Sequence, residues 1–444
     1  VHDNEVMALA SHAGRLFAAT DQWEYSGPNA HGQVLVKESS SGAWNVFEET
    51  ESTRVQALDS FPIPANQGLG AGHSLLVTQA IVHGHSEIQW LLDSATAFTP
   101  TNSYALPSNR DEIRSFGAHQ SNGVWSVYAG DDPTGILRGV WSKSRHTLVF
   151  TSTPELVAKA PTAPGLKTQK VTAFADCRGS LYLTINTKLY RRNDGLLGPA
   201  GSRWVLVYQE PPVGVLNSGL RGLSCITYDG SPSLLLSSEG SGDVYRIDRL
   251  PVGQLTPLAT GGLPGGLAPV LEFSPIAALG AMLRSQGVAV PASGKGSINY
   301  VITAYNNFEA MRIAGATRQL FGLEWGYSGT CPSGRICAPS GFDAAACFAV
   351  RTDPPSSAAP PTYVLRCLSG REFRLSATQT SPVRNGQAFV SVRTIAASPF
   401  NSQRIFYAGF DNDFHPSDGS AWVAWSTKSA VHLSRPSTRT AAGP

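Results

Sequence analysis

Side chains capable of chemistry recur in this 444-residue chain inside short, turn-rich segments, with no single catalytic motif gathering them. Segment 21–27 carries Asp21, Trp23 and Tyr25; 81–86 carries His83 and His85; 130–135 carries Asp131 and Asp132. Further on, 186–188 and 238–243 are polar, 305–309 holds Tyr305, Asn306, Asn307 and Phe308, and 409–419 holds Phe410, Asp411, Asp413, Phe414 and His415. His83 and His85 alternate along a strand end, so they share a face and could bind a metal or exchange protons. With no third ligand nearby they read more simply as solvated histidines. The aspartate pairs offer hard oxygen ligands for calcium, yet Asp-Asp-Pro-Thr-Gly is also what a type I turn prefers. The nucleophile elbow, the zinc-protease helix, the Walker loop and the dinucleotide fingerprint are all missing from the sequence. No metal or cofactor is therefore expected. Aromatic rings beside amides and carboxylates suit a small organic ligand oriented by a few hydrogen bonds.

The elements that must carry these segments come from a repeat. Segments 6–20, 171–184 and 220–237 each read as an apolar strand, a Gly/Asn/Asp turn and a second apolar strand, with weaker copies starting near Arg54, Glu112, Val270 and Val392. Their alternation has period two, which argues strands. Eight third strands are expected, at 33–39, 88–93, 136–142, 189–193, 244–248, 310–313, 363–368 and 421–427. Their spacing is that of propeller blades. A short antiparallel sheet cannot bury both apolar faces alone, and packing such sheets around an axis buries them all. The predicted fold is all-β, a single β-propeller over 1–433 with seven or eight blades of mostly four antiparallel strands. A weak first strand around 341–368 keeps the count at seven or eight, and a pair of β-sandwiches is the rival architecture. Residues 434–444 read as a disordered tail.

Composition agrees. Charged residues are 15% of the chain while Gly and Pro number 44 and 30, so turns are many. A net charge of +2 leaves no footprint for nucleic acid or an anionic membrane. No stretch of 18 uncharged apolar residues suggests a span. The expected partners are small organic molecules, and the low charge suggests a weakly charged loop face that suits a greasy substrate better than a polyanion; the oligomeric state stays open. Six cysteines without a Cys-x-x-Cys spacing fit an oxidising compartment better than zinc. Cys177–Cys225, Cys331–Cys337 and Cys347–Cys367 are the natural local pairs among fifteen connectivities. A chain beginning at Val1 fits removal of a signal peptide, so a secreted or lumenal location is expected, although no Asn begins a glycosylation sequon.

Segment 404–424 resembles the last blade of secreted fungal β-propeller hetero-Diels–Alderases that build tropolone sesquiterpenoids. The resemblance implies cycloaddition of an ortho-quinone methide with a terpene alkene to a dihydropyran, without a cofactor. Under it, Asn306, Asn307, Tyr305 and His415 become candidate donors to the quinone oxygen. Trp23, Tyr25, Phe308 and Phe410 become the pocket wall, with His85, Asp131 and Asp411 as further substrate contacts. A lyase or calcium-dependent lactonase using His83, His85, Tyr305 and Arg312, or a lectin-like propeller, are the alternatives.

Overall fold

In the computed structural model every residue is described except 1–4, 22–30, 53, 83, 94, 107–111, 133–134, 158–169, 195–203, 212–218, 254, 256–266, 286, 288–289, 294–296, 299, 329–342, 355–358, 375–386, 411–420 and 434–444. Among the described residues seven antiparallel blade units follow one another along the chain; blades 1 to 4 are separate sheets, and blades 5 to 7 share one continuous sheet. Blade 1 comprises Glu5–His12, Arg15–Asp21, Gln33–Lys37 and Trp44–Glu49. Blade 2 comprises Leu58–Pro62, Ser74–Val82, His85–Leu92 and Ser103–Ala105. Blade 3 comprises Glu112–Ser121, Val124–Asp132, Gly135–Ser142 and Thr147–Phe150, and blade 4 Val171–Cys177, Ser180–Ile185, Lys188–Arg192 and Trp204–Gln209. Blade 5 comprises Gly219–Tyr228, Ser231–Gly240, Val244–Ile247 and Pro269–Phe273; the helix Pro275–Ser285 leads to blade 6. Blade 7 comprises Gln387–Ala397, Arg404–Phe410 and Ala421–Thr427, followed by the helix Lys428–Leu433.

Five of the inner hairpins turn on a residue-glycine pair with positive φ at both positions: Ala13-Gly14, Asn122-Gly123, Arg178-Gly179, Asp229-Gly230 and Ala314-Gly315. That backbone twist matches the twist of the flanking strands, and glycine adopts it without a Cβ penalty. Second strands are buried on both faces, as in Arg15–Asp21, because neighbouring sheets cover them. The ring closes between first and last blades: Leu9 N donates to Thr394 Oγ1 at 3.1 Å and Ser11 Oγ to the Ala397 carbonyl at 2.5 Å.

Blade 6 departs from the repeat. Its inner strand is split into Tyr300–Thr303 and Glu309–Ile313, both paired with the 13-residue strand Ala316–Ser328, and Asp343–Thr352 and Thr362–Arg374 complete the sheet. Residues 310–313 are thus half of an inner strand and 363–368 belong to a fourth strand, so the expected eighth blade dissolves into the sixth. The expected repeat start at Val270 is likewise corrected: it lies in the outer strand of blade 5. Blades 5, 6 and 7 are also joined by hydrogen bonding, through Glu239↔Ile302 and Glu324↔Ser391.

Covalent and ionic clasps tie blades together. Cys177–Cys225 joins the inner strands of blades 4 and 5, and Cys347–Cys367 staples a directly opposed pair within blade 6. Cys331 and Cys337 lie outside the described residues. Between blades 5 and 6, the buried Glu272 carboxylate accepts from Arg351 Nε at 2.7 Å and Tyr363 Oη at 2.5 Å and pairs with Arg246. Replacing Glu272 by alanine removes two of the hydrogen bonds of the Arg351 guanidinium, of which 1% is exposed, and leaves it the half-exposed Asp353. A loss of about 3 kcal/mol is expected from denaturant unfolding; an unchanged midpoint would show that the clasp is dispensable.

Candidate functional site at the propeller axis

The inner strands share one irregularity. Pairing skips Met7 in blade 1, Arg114 in blade 3, Thr172 in blade 4, Arg221 and Gly222 in blade 5, and Arg393 in blade 7. In blade 6 the same level is occupied by the five residues 304–308, facing only Phe321 and Gly322 across the sheet. In blade 2, Gln56 stands just before the first paired residue, Leu58. A bulge re-aims the side chain it frees. Cross-blade bonds show that these positions lie at one level: Arg114 Nη1 to Gln56 Oε1 at 2.7 Å, Leu223 N to Asn307 Oδ1 at 3.2 Å, and Asn306 Nδ2 to the Met7 carbonyl. The last bond carries the blade 6 insertion past blade 7 to blade 1.

A belt of ion pairs surrounds Tyr305 at this level. Arg54 bonds Asp21 at 2.8 Å and approaches Glu112 at 3.4 Å; Arg114 holds Glu112 at 3.0 Å and also Asp132. Arg221 holds Glu239 at 2.5 Å, and Arg393 holds Glu5 and Glu324 at 3.3 and 3.2 Å. The Tyr305 ring lies between Arg221 and Arg393, whose guanidinium carbons are 4.4 and 3.8 Å from its centroid, a double cation–π contact. Burial pushes Asp21 and Glu324 up to about 7 despite their arginines. For Glu239 burial works the same way, but Arg221 and Lys170 outweigh it and hold the carboxyl low. Burial brings Lys170 down to about 8. The axis is therefore densely charged at this level, while segments 22–27 and 411–419 of the loop face expected to be weakly charged lie outside the described residues.

The inner strands of blades 1, 3, 4 and 7, the segment 56–59 of blade 2 and the segment 306–309 of blade 6 run from this belt into a pocket of about 120 Å³ on the axis. Its wall includes Gln56 and Asp59 from blade 2, Arg114 and Ser115 from blade 3, Thr172 from blade 4, Asn306, Asn307, Phe308 and Glu309 from blade 6, and Thr394 from blade 7. Asp59 and Glu309 differ from the belt carboxylates: neither has an ion pair among the described residues. Burial pushes both up to about 7, and the Asp59 charge adds to the rise at Glu309.

Of the residues expected from sequence, Asn306, Asn307 and Phe308 come together on this wall. Asn307 is exposed to the pocket, whereas Asn306 gives its amide NH₂ to the Met7 carbonyl. Tyr305 is 9% exposed, Phe410 is fully buried against Arg393, and Asp131 is fully buried in blade 3. His85 is exposed at the blade 2 hairpin and Arg312 is exposed near the far end of the blade 6 inner strand, so neither joins Tyr305. Trp23, Tyr25, His83, Asp411 and His415 lie outside the described residues. Sequence reasoning missed the belt arginines, although three repeats carry the same apolar-Arg-small signature: Ile113-Arg114-Ser115, Leu220-Arg221-Gly222 and Val392-Arg393-Thr394.

No family model matches the chain, and no curated protein matches it significantly. Among solved structures it is similar to Raptor of Chaetomium thermophilum (12% identity, 96% of this chain, TM-score 0.43) and to a GH74 xyloglucanase of Xanthomonas campestris (13%, 96%, 0.41). It is also similar to the α-L-arabinofuranosidase Arb93A of Fusarium graminearum, at 8% identity over 96% of this chain and 94% of that one, with a TM-score of 0.38. The chain spans 28% of the Raptor chain and 55% of the xyloglucanase. None of these similarities points to the hetero-Diels–Alderases that 404–424 resembles. The chain is an all-β propeller, as its strand order establishes.

Proposed function

We propose that the chain is an enzyme for small organic molecules, holding a neutral substrate in the axial pocket and activating it by hydrogen bonds. The proposed reaction is the hetero-Diels–Alder cycloaddition implied by the resemblance of 404–424. One observation supports the site above others: the insertion 304–308 breaks the inner strand of blade 6 and presents the Asn307 amide to the pocket. In the cycloaddition, four π electrons of the quinone methide and two of the alkene become two σ bonds, C–C and C–O, and one new ring π bond. Negative charge gathers on the quinone oxygen in the transition state. Asn307 Oδ1 is fixed by the Leu223 N–H, which pre-orients the amide so that its NH₂ can serve as donor. Pre-orientation of the two reactants supplies the rest of the acceleration. The pocket volume suits the polar ring of one reactant, and the alkene would extend beyond it. Cys177–Cys225 and Cys347–Cys367 support a proposed oxidising, secretory location.

Asn307→Asp keeps the acceptor for the Leu223 N–H and removes the NH₂ donor, so it is expected to lower kcat/KM by about 10²-fold, the usual cost of removing one such donor, with thermal melting as the check on folding. Cycloaddition rate and stereochemistry measured on a quinone methide with humulene alcohol would check this. Unchanged turnover and stereochemistry would remove Asn307 from the reaction.

A further inference from the structure

Lys170 stands immediately before the inner strand of blade 4, two residues ahead of Thr172, the bulge position of that blade. Asn186 fixes its backbone twice: the Lys170 N–H donates to Asn186 Oδ1 and its carbonyl accepts the Asn186 N–H, each at 3.0 Å. On one flank Val171 donates its N–H to Asp132 of blade 3. On the other the Asn186 carbonyl accepts the Leu220 N–H, and the next residue, Arg221, holds Glu239. Lys170 is thus set between the Arg114–Asp132 pair and the Arg221–Glu239 pair. Arg54, Arg114, Arg221 and Arg393 each hold a carboxylate, whereas the half-buried Lys170 has no ion pair among the described residues. A half-buried amine without a carboxylate of its own, flanked by guanidiniums, is the setting that favours a neutral nucleophile. Burial and then the Arg221 charge bring it down to about 8, with Arg114 acting the same way and Glu239 and Asp132 opposing.

We propose that Lys170 is a nucleophilic amine at the propeller axis and forms an imine with a small neutral aldehyde or ketone. Its Nζ attacks the carbonyl carbon, the C=O π pair moves to oxygen, and a proton passes from nitrogen to that oxygen. Loss of water then leaves a C=N bond. The balance is amine plus carbonyl giving imine plus water, so neither oxidant nor reductant is needed. A neutral carbonyl compound fits because Arg114 and Arg221 already hold carboxylates, and an anionic one would find neither guanidinium unpaired. An uncharged imine also takes a positive charge away from between those two arginines. This activity goes beyond the cycloaddition and does not rest on it.

The test treats the full chain with propanal and sodium cyanoborohydride at pH 7.5, which reduces any imine to an N-propyl lysine, and follows each lysine by peptide mass spectrometry. Lys170 should be alkylated about tenfold faster or more than Lys37, Lys143, Lys188 and Lys428, because a far larger share of it is uncharged at that pH. In concentrated urea the belt is dispersed and the preference should vanish. Lys170→Arg should remove the fast site, with thermal melting as the check on folding; the comparison among lysines of the wild-type chain carries the test if that variant does not fold. Alkylation of Lys170 no faster than of the other lysines, or a preference that survives in urea, overturns the proposal.

Discussion

Replacing Gly322 by alanine is expected to destabilise the protein by about 4 kcal/mol or more, enough to unfold many single domains. Gly322 lies in the long strand of blade 6, opposite the insertion 304–308, and its carbonyl accepts the Ala304 N–H at 3.0 Å. A Cβ there would sit 1.8 Å from the Val392 carbonyl oxygen and 2.7 Å from its carbon. The obstacle is backbone, so no rotamer change relieves it, and the inner strand of blade 7 would have to move. The next residue of that strand, Arg393, holds Glu5, Glu324 and the Tyr305 ring, so the displacement reaches the belt on the axis. Gly409, whose Cβ would lie 1.9 Å from the Ser391 oxygen, should behave alike. Soluble yield and thermal unfolding measure both variants. A Gly322→Ala protein melting within a degree or two of wild type would show that blades 6 and 7 do not meet backbone to backbone.

The second large effect concerns His119, and it depends on pH. His119 is 2% exposed on the inner strand of blade 3, and both ring nitrogens are engaged by blade 4: Nδ1 with Asp176 Oδ2 and Nε2 with Asp194 Oδ2, each at 2.8 Å. Burial alone would favour the neutral ring, but the two carboxylate hydrogen bonds and their charges outweigh it and raise the imidazolium to about 9. Asp194 is held low in turn, chiefly by its bond to His119 after the burial cost, and also pairs with Arg192. The folded pKa lies above the unfolded value, so this stabilisation is complete below about 6.5 and is lost as pH rises through about 9. Its size is about 3 kcal/mol. Denaturant midpoints should therefore fall between neutral pH and pH 10 in wild type. His119→Ala should already be destabilised by about 3 kcal/mol at pH 6 and should lose that fall. A variant whose pH dependence matches wild type would show that blades 3 and 4 are held by other contacts.

Much of this architecture is legible in the residues. The turn pairs Asn122-Gly123 and Asp229-Gly230, the apolar alternation around 6–20 and 171–184, and Cys177 beside Cys225 all follow local rules that the fold obeys. The blade count is harder because Glu309–Ile313 is a strand-like fragment whose buried Met311 and Ile313 alternate with exposed residues before a Gly315 turn, and locally it looks like any repeat strand. Only its pairing with Ala316–Ser328 shows that it is half of an inner strand. The site divides the same way. Asn306 and Asn307 stand out as adjacent amides in a turn-like segment, and the fold does bring them to the axis. Gln56, Asp59, Arg114, Arg221 and Arg393 are scattered singly in the chain and meet only when inner strands at long sequence separation are brought to one level. A charged content of 15% says nothing about such concentration; here Arg54, Arg114, Arg221 and Arg393 meet their carboxylates at one level on the axis.

The central claim is that the axial pocket is where this protein meets its ligand. A crystal structure of the full chain grown with the saturating dihydropyran cycloadduct tests it most directly. The expected result is density for the oxygen-bearing ring in the pocket, with its oxygen within hydrogen-bond distance of Asn307 Nδ2. Density showing only water there, with the cycloadduct bound elsewhere on the protein or nowhere, would contradict it.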